Sequence, residues 1–242
     1  MRNAPDQPLR LLRTLIPKRY QPWLRGIHRG LAAIGMQLEE PFRTAFPYTQ
    51  VHPNRLRALA QHARTVCGTG VAGDVVECGV LDGGAAAIMA AFTRECRKRI
   101  HLFDAWEGLP QRSTEDGPLA DPWVGDVVGS PRRVLRIMRL LAIDEDRLVF
   151  HKGWFRDTFP VADISAIALM HIDCDFYEPT RAALARWAPL VAPGGIVQFD
   201  DYEDFVGCRR AVDEFLAEHS AIRLERLGAP GTAYFIRFPG PR

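Results

Sequence analysis

Four carboxylates stand where two stretches of chain could bring them together. Asp173 and Asp175 follow one apolar run, Asp200 and Asp201 follow the next, and a helical pattern lies between, stopping at Pro193-Gly194-Gly195. Two parallel strands joined by a right-handed crossover helix place both strand ends on one edge of a sheet. Ligands of open α/β sheets bind outside such carboxyl ends. Like charges so close repel, so the arrangement calls for a divalent cation. Magnesium suits it, being held by oxygens while keeping positions open for water or substrate. Such a cation can orient two neighbouring oxygens and lower the proton affinity of a hydroxyl. Asp175 lies two residues beyond Asp173. If the strand continues, both point to one face, so that one holds metal while the other accepts a proton. His171 shares that face and reads as a core or supporting histidine ranked behind Asp175. The bland alternative is solvated strand ends and helix caps, such as Glu178 in a first helical turn. Four acids at two adjacent strand tips weigh against it.

A second constellation lies upstream in DVVECGVLDGGAAA, residues 74–87. A short apolar strand ends near Glu77 and Cys78-Gly79, and Gly83-Gly84 open an alanine-rich helix. Glycines between strand and helix let a ligand approach the backbone and the helix N-terminus. The spacing is not the dinucleotide GxGxxG. Asp104 ends the next strand, where an acid commonly accepts hydrogen bonds from ribose hydroxyls.

The elements that must position these groups alternate. Strands are expected at 100–104, 147–151, 164–173 and 195–200. Helices are expected from Asn54, from Ser130-Pro131 to about Ala142, over 178–190 and over 208–219. A hairpin closes the chain around residues 228–231. This predicts an α/β fold, a doubly wound, mainly parallel sheet with an antiparallel C-terminal edge hairpin. Residues 105–130, rich in Pro, Gly, Asp and Trp, are too long for an ordinary connection and read as a lid, with Trp106 and Trp123 as its anchors. Residues 42–50 read as an aromatic loop. Residues 1–50 form a basic helical extension, with eight Arg or Lys against Asp6, Glu39 and Glu40, and residues 51–242 the main domain. Residues 1–8 read as disordered. Pro17 and Pro22 split the arm that follows, which argues for a helical arm packed on the domain or on a second copy in a homo-oligomer, rather than for a membrane-surface helix.

The remainder of the chain is slightly acidic, which argues against a nucleic-acid surface. Five cysteines without CxxC spacing suggest neither a disulfide framework nor zinc, so most should be reduced and buried, with Cys174 partly exposed. No apolar stretch is long enough to span a membrane, and no signal core is visible, so the default location is the cytoplasm.

Six ordered motifs, PYTQVHPNRLRAL, VVECGVLDGGAA, FDAWEGLP, HKGWFRDTFP, HIDCDFYEPT and GGIVQFDDY, resemble the macrocin O-methyltransferase family over residues 48–238. That resemblance implies a class I methyltransferase fold with a seven-stranded sheet, S-adenosylmethionine as methyl donor and Mg2+ as metal. It implies an acceptor hydroxyl on a sugar or glycosylated natural product. By the same resemblance Glu77, Gly79 and Gly83 belong to the donor site, the first two at its methionine end, Asp104 binds the ribose, and Gly153, Trp154 and Phe155 lie near the adenine. Asp173, Asp200 and Asp201 match the magnesium ligands, and Asp175 the general base. Residues 111–130 match nothing in the family pattern, and FYEPT follows Asp175 where leucine and YEST are commoner. Three other readings stay open: a metal-dependent methyltransferase of a phenol or small vicinal diol, a nucleotide-sugar or NAD enzyme, and a non-catalytic protein on the same fold. The missing GxGxxG and the Asp200-Asp201 pair count against the second. The intact acids and glycines count against the third.

Overall fold

A computed structural model describes residues 21–228 and 231–240. The expected disorder at 1–8 and the first piece of the basic arm lie outside these residues. Seven strands form one sheet in the order β3-β2-β1-β4-β5-β7-β6. They are β1 (Asp74–Cys78), β2 (Ile100–Asp104), β3 (Leu148–Lys152), β4 (Ile167–Ile172), β5 (Val191–Phe199), β6 (Leu224–Leu227) and β7 (Ala233–Arg237). The first five run parallel, whereas β7 pairs antiparallel with both β5 and β6. The chain order reverses at β1, next to β4, so a crevice opens there at the carboxyl ends.

Helices cover both faces, so the central strands are apolar on both sides. On one face lie α3 (Pro53–Gly68), α4 (Gly84–Phe92) and α5 (Pro131–Leu140), packed on Val75, Leu102, Leu169 and Ile196. On the other, α7 (Tyr177–Trp187) and α8 (Val206–Glu218) pack on Val76, Phe103, Met170 and Val197. The short α6 (Phe155–Thr158) follows β3. Five alanines in the nine residues of α4 allow a close approach to the sheet, and residues 84–90 are all buried.

α1 (Gln21–Gly35) is one helix. Pro22 does not split it, because proline is tolerated in the first helical turn. Its orientation is inverted relative to a simple amphipathic helix. Arg25, Arg29 and Ala33 are buried at i, i+4 and i+8, while Trp23, Ile27, Leu31 and Ile34 face outward. Arg29 lies 4.0 Å over the Phe46 ring and donates to the carbonyls of Phe46 and Val51.

Several expectations are corrected. The aromatic stretch 42–50 is not an open loop: α2 (Phe42–Ala45) runs into a 3-10 turn at Phe46–Tyr48, because its rings are buried against α1 and α4. Cys67 and Cys96 are joined by a disulfide that links the last turn of α3 to the turn after α4. Their separation of 29 residues matches no local motif, and only helix packing brings them together. Cys174 is buried, as are Cys78 and Cys208. Among the described residues, no helix is long and apolar enough to cross a membrane.

Candidate active site

The carboxyl ends of β1 and β4 are stitched beyond the strands themselves. The Asp173 amide donates to the Cys78 carbonyl at 2.9 Å, and the Asp200 amide to the Ile172 carbonyl at 3.0 Å. These bonds hold Asp173 and Asp200 side by side, and Asp201 joins them. One ligand oxygen from each of Asp173, Asp200 and Asp201 lies within 4.8 Å of the others. Asp200 and Asp201 are buried, Asp173 half-buried. Asp200 Oδ1 is buried without a hydrogen-bond partner. A desolvated, unsatisfied carboxylate oxygen within an all-carboxylate donor set fits a hard divalent cation.

Arg55, on α3, is the residue here that sequence reasoning missed. Its Nη1 reaches Asp204 at 2.9 Å and Asp200 at 3.4 Å, and its Nε donates to the Thr232 carbonyl. Burial works against its charge, but Asp200 and Asp204 outweigh this and hold the guanidinium above its ordinary pKa. An arginine inside a helical stripe carries no sequence signal of such a role.

Asp175 differs from expectation. β4 ends at Ile172, so Asp173 and Asp175 do not share a strand. Asp175 adopts a left-handed φ of 62° and its amide donates to Asp201 Oδ2 at 2.9 Å. The turn, rather than strand alternation, brings Asp175 to the same cavity as Asp173.

That cavity, about 730 Å³, is lined by Gly79, Leu81, Asp104, Gly153, Trp154 and Phe155 on one side and by Asp173 and Asp175 on another. Its size fits a cofactor or drug-sized ligand. Glu107, Leu109, Pro110 and Gln111 from the expected lid line it too. This segment is anchored. Trp106 donates to the Leu81 carbonyl, Asp116 accepts from the Tyr177 amide at the start of α7, and Trp123 meets Phe205 edge-on.

Gly79, with φ 88°, faces the Asp173 carbonyl so closely that a Cβ would collide with it. Gly83, with φ 87°, precedes α4 and packs on Val134. Asp104 accepts from the amides of Val80, Leu81 and Trp106. Burial pushes its carboxyl up, and those three amides pull it back. Glu77, Gly83, Asp200 and Asp201 do not line the cavity. Glu77 is 1% exposed and meets His171 Nδ1 at 2.9 Å. Burial raises the Glu77 pKa, and His171 opposes that rise. Glu77, His171 and Gln198 stand in register across β1, β4 and β5, directly beneath the site.

A seven-stranded sheet of this order, with its cavity at the β1–β4 crevice, defines the class I methyltransferase fold. The chain belongs to the macrocin O-methyltransferase (TylF) family, whose sequence profile matches residues 36–228, and it is an O-methyltransferase. It is 34% identical over 180 residues to demethyldecarbamoylnovobiocin O-methyltransferase of Streptomyces niveus, covering 71% of this chain and 68% of that protein. It is 33% identical to 8-demethyl-8-(2,3-dimethoxy-alpha-L-rhamnosyl)-tetracenomycin-C 4'-O-methyltransferase of Streptomyces olivaceus, covering 69% and 67%. The solved structure of the O-methyltransferase NovP superposes with a TM-score of 0.71 at 29% identity, covering 79% of this chain and 82% of that one.

Proposed function

We propose that this enzyme transfers a methyl group from S-adenosylmethionine to a hydroxyl of a sugar on a glycosylated natural product, with Mg2+ held by Asp173, Asp200 and Asp201. The observation that carries the reading is the carboxylate trio within 4.8 Å beside a cavity that also holds the glycine turn and Asp104. The rhamnosyl acceptor named for the Streptomyces olivaceus relative supports the substrate class.

The donor supplies a methyl group on a sulfonium sulfur, and transfer is an in-line displacement that gains most from alignment. Gly79 leaves the backbone open to the donor, and Asp104 offers carboxylate oxygens for its ribose. Trp154 and Phe155 provide apolar surface for the adenine. A magnesium ion bound by the trio would supply positive charge that orients two acceptor oxygens and makes the hydroxyl more acidic. Asp175 takes the hydroxyl proton from the cavity side. The hydrogen bond from its backbone amide to Asp201 Oδ2 fixes that base relative to the metal ligands. Arg55 meets Asp200 through Oδ2 and leaves the unpartnered Oδ1 for the metal. On this reading the enzyme acts in the cytoplasm.

The test is calorimetric titration of S-adenosylhomocysteine into wild type and Asp200→Asn, with magnesium and with chelator. Both proteins should bind it in either condition, while magnesium-dependent methylation of a glycoside disappears in the variant. Full turnover by Asp200→Asn would remove the metal assignment. Absence of binding to wild type would remove the donor assignment.

A further inference from the structure

Asp82 lies in the middle of the turn between β1 and α4 and is fully buried. A buried carboxylate is costly unless paired. Its partners come from outside the turn. Arg25 Nη2, on α1, reaches Asp82 Oδ2 at 3.0 Å, and Arg133 Nε, on α5, reaches the same oxygen at 3.0 Å. Arg25 is 4% exposed, so this pair is shielded from water and salt. The same Arg25 nitrogen donates to the Val128 carbonyl at 3.0 Å. Arg133 also donates to the Pro47 carbonyl and lies 4.5 Å over the Tyr48 ring.

The neighbouring residue, Leu81, faces the cavity. It holds a left-handed φ of 54°, a conformation that costs a side-chain-bearing residue energy and persists only under constraint. Its amide donates to Asp104 at 2.8 Å, and its carbonyl accepts from Trp106 Nε1 and the Ser130 amide. Gly129 packs on the Leu81 backbone with no room for a Cβ. The turn is thus held from the cavity side by Asp104 and from the outside by two arginines, one of them contributed by the N-terminal helix.

We propose that α1 is a working part of the donor site. Arg25 is a positioning residue that, through Asp82, keeps the Leu81 turn in its donor-accepting conformation and ties it to Val128 at the end of the cavity-lining segment. The inference rests on the donor reading of the cavity. It gives the N-terminal arm a role that packing alone does not.

The test compares wild type, Arg25→Ala and Arg25→Lys for S-adenosylhomocysteine affinity, for kcat at saturating donor, and for thermal unfolding. Arg133 still pairs with Asp82 in the alanine variant, so the fold should persist. The expected result is an S-adenosylhomocysteine Kd raised about tenfold, the size expected when one charge-assisted contact is lost. At saturating donor kcat should change far less, and Arg25→Lys should recover most of the affinity. If Arg25→Ala fails to fold, Arg25→Gln, which keeps length and packing, takes its place with the same expectation. An affinity within twofold of wild type in a folded variant overturns the inference. So does a loss in kcat equal to the loss in affinity. Wild type that binds no S-adenosylhomocysteine sinks the donor reading itself, and this inference with it.

Discussion

Asp175 shows how much one dihedral angle can decide. Its left-handed φ lets its amide reach Asp201 while the residue lines the cavity. Asparagine tolerates that conformation better than other non-glycine residues, so Asp175→Asn removes the proposed base and keeps the turn. The expected outcome is a kcat lowered by about 10²–10⁴-fold, with S-adenosylhomocysteine affinity near wild type by calorimetry. A kcat close to wild type would show that the proton leaves by another route. The gathering of the acids was legible in the sequence, because four of them close two apolar runs. The route by which Asp175 reaches the site was not, because a turn after Ile172 replaces strand alternation. Arg55 was illegible for a different reason: its contacts with Asp200 and Asp204 depend on α3 packing against β4 and β5.

At the scale of elements, the turn after β1 and the loop after β4 behave as one unit. Gly79 carries φ 88°, and a Cβ there would strike the Asp173 carbonyl. A left-handed alanine costs about 1–2 kcal/mol, and relief of the clash requires the two strand ends to separate. Gly79→Ala should therefore weaken both S-adenosylhomocysteine and magnesium binding and lower Tm by several degrees, roughly 2–4 °C per kcal/mol for a chain of this size. Calorimetry with each ligand and a melting curve check this. Loss of one ligand with full retention of the other would mean that the two sites are not mechanically joined. Alternation of strands and helices was readable along the chain, because apolar runs and glycine breaks mark each element. The short helical turns at 42–48 were not, because they exist only against α1 and α4.

Across the whole molecule, buried titratable groups make stability depend on pH. His62, on α3, is 2% exposed, packs on Phe235 at 4.5 Å, and has its pKa lowered to about 4, chiefly by burial. Its folded value lies below its unfolded value near 6.5, so the unfolded state takes up a proton that the folded state refuses. The resulting stability is fully present above about pH 6.5 and is lost as pH falls toward 4. For this one group the loss is on the order of 3 kcal/mol at most. Tm measured across that window should fall in wild type and fall less in His62→Gln. Equal slopes would assign the effect to other groups.

The chain alone was enough to establish the layer architecture, the family and the acidic quartet, since these follow from local periodicity and from residues clustered within short motifs. The Cys67–Cys96 bridge, the inward arginines of α1, Arg55 beside Asp200 and the burial of Glu77 on His171 depend on contacts between residues 17 to 145 positions apart. No local pattern encodes such pairs. They are fixed when helices settle on the two faces of the sheet and each buried charge finds its counter-charge.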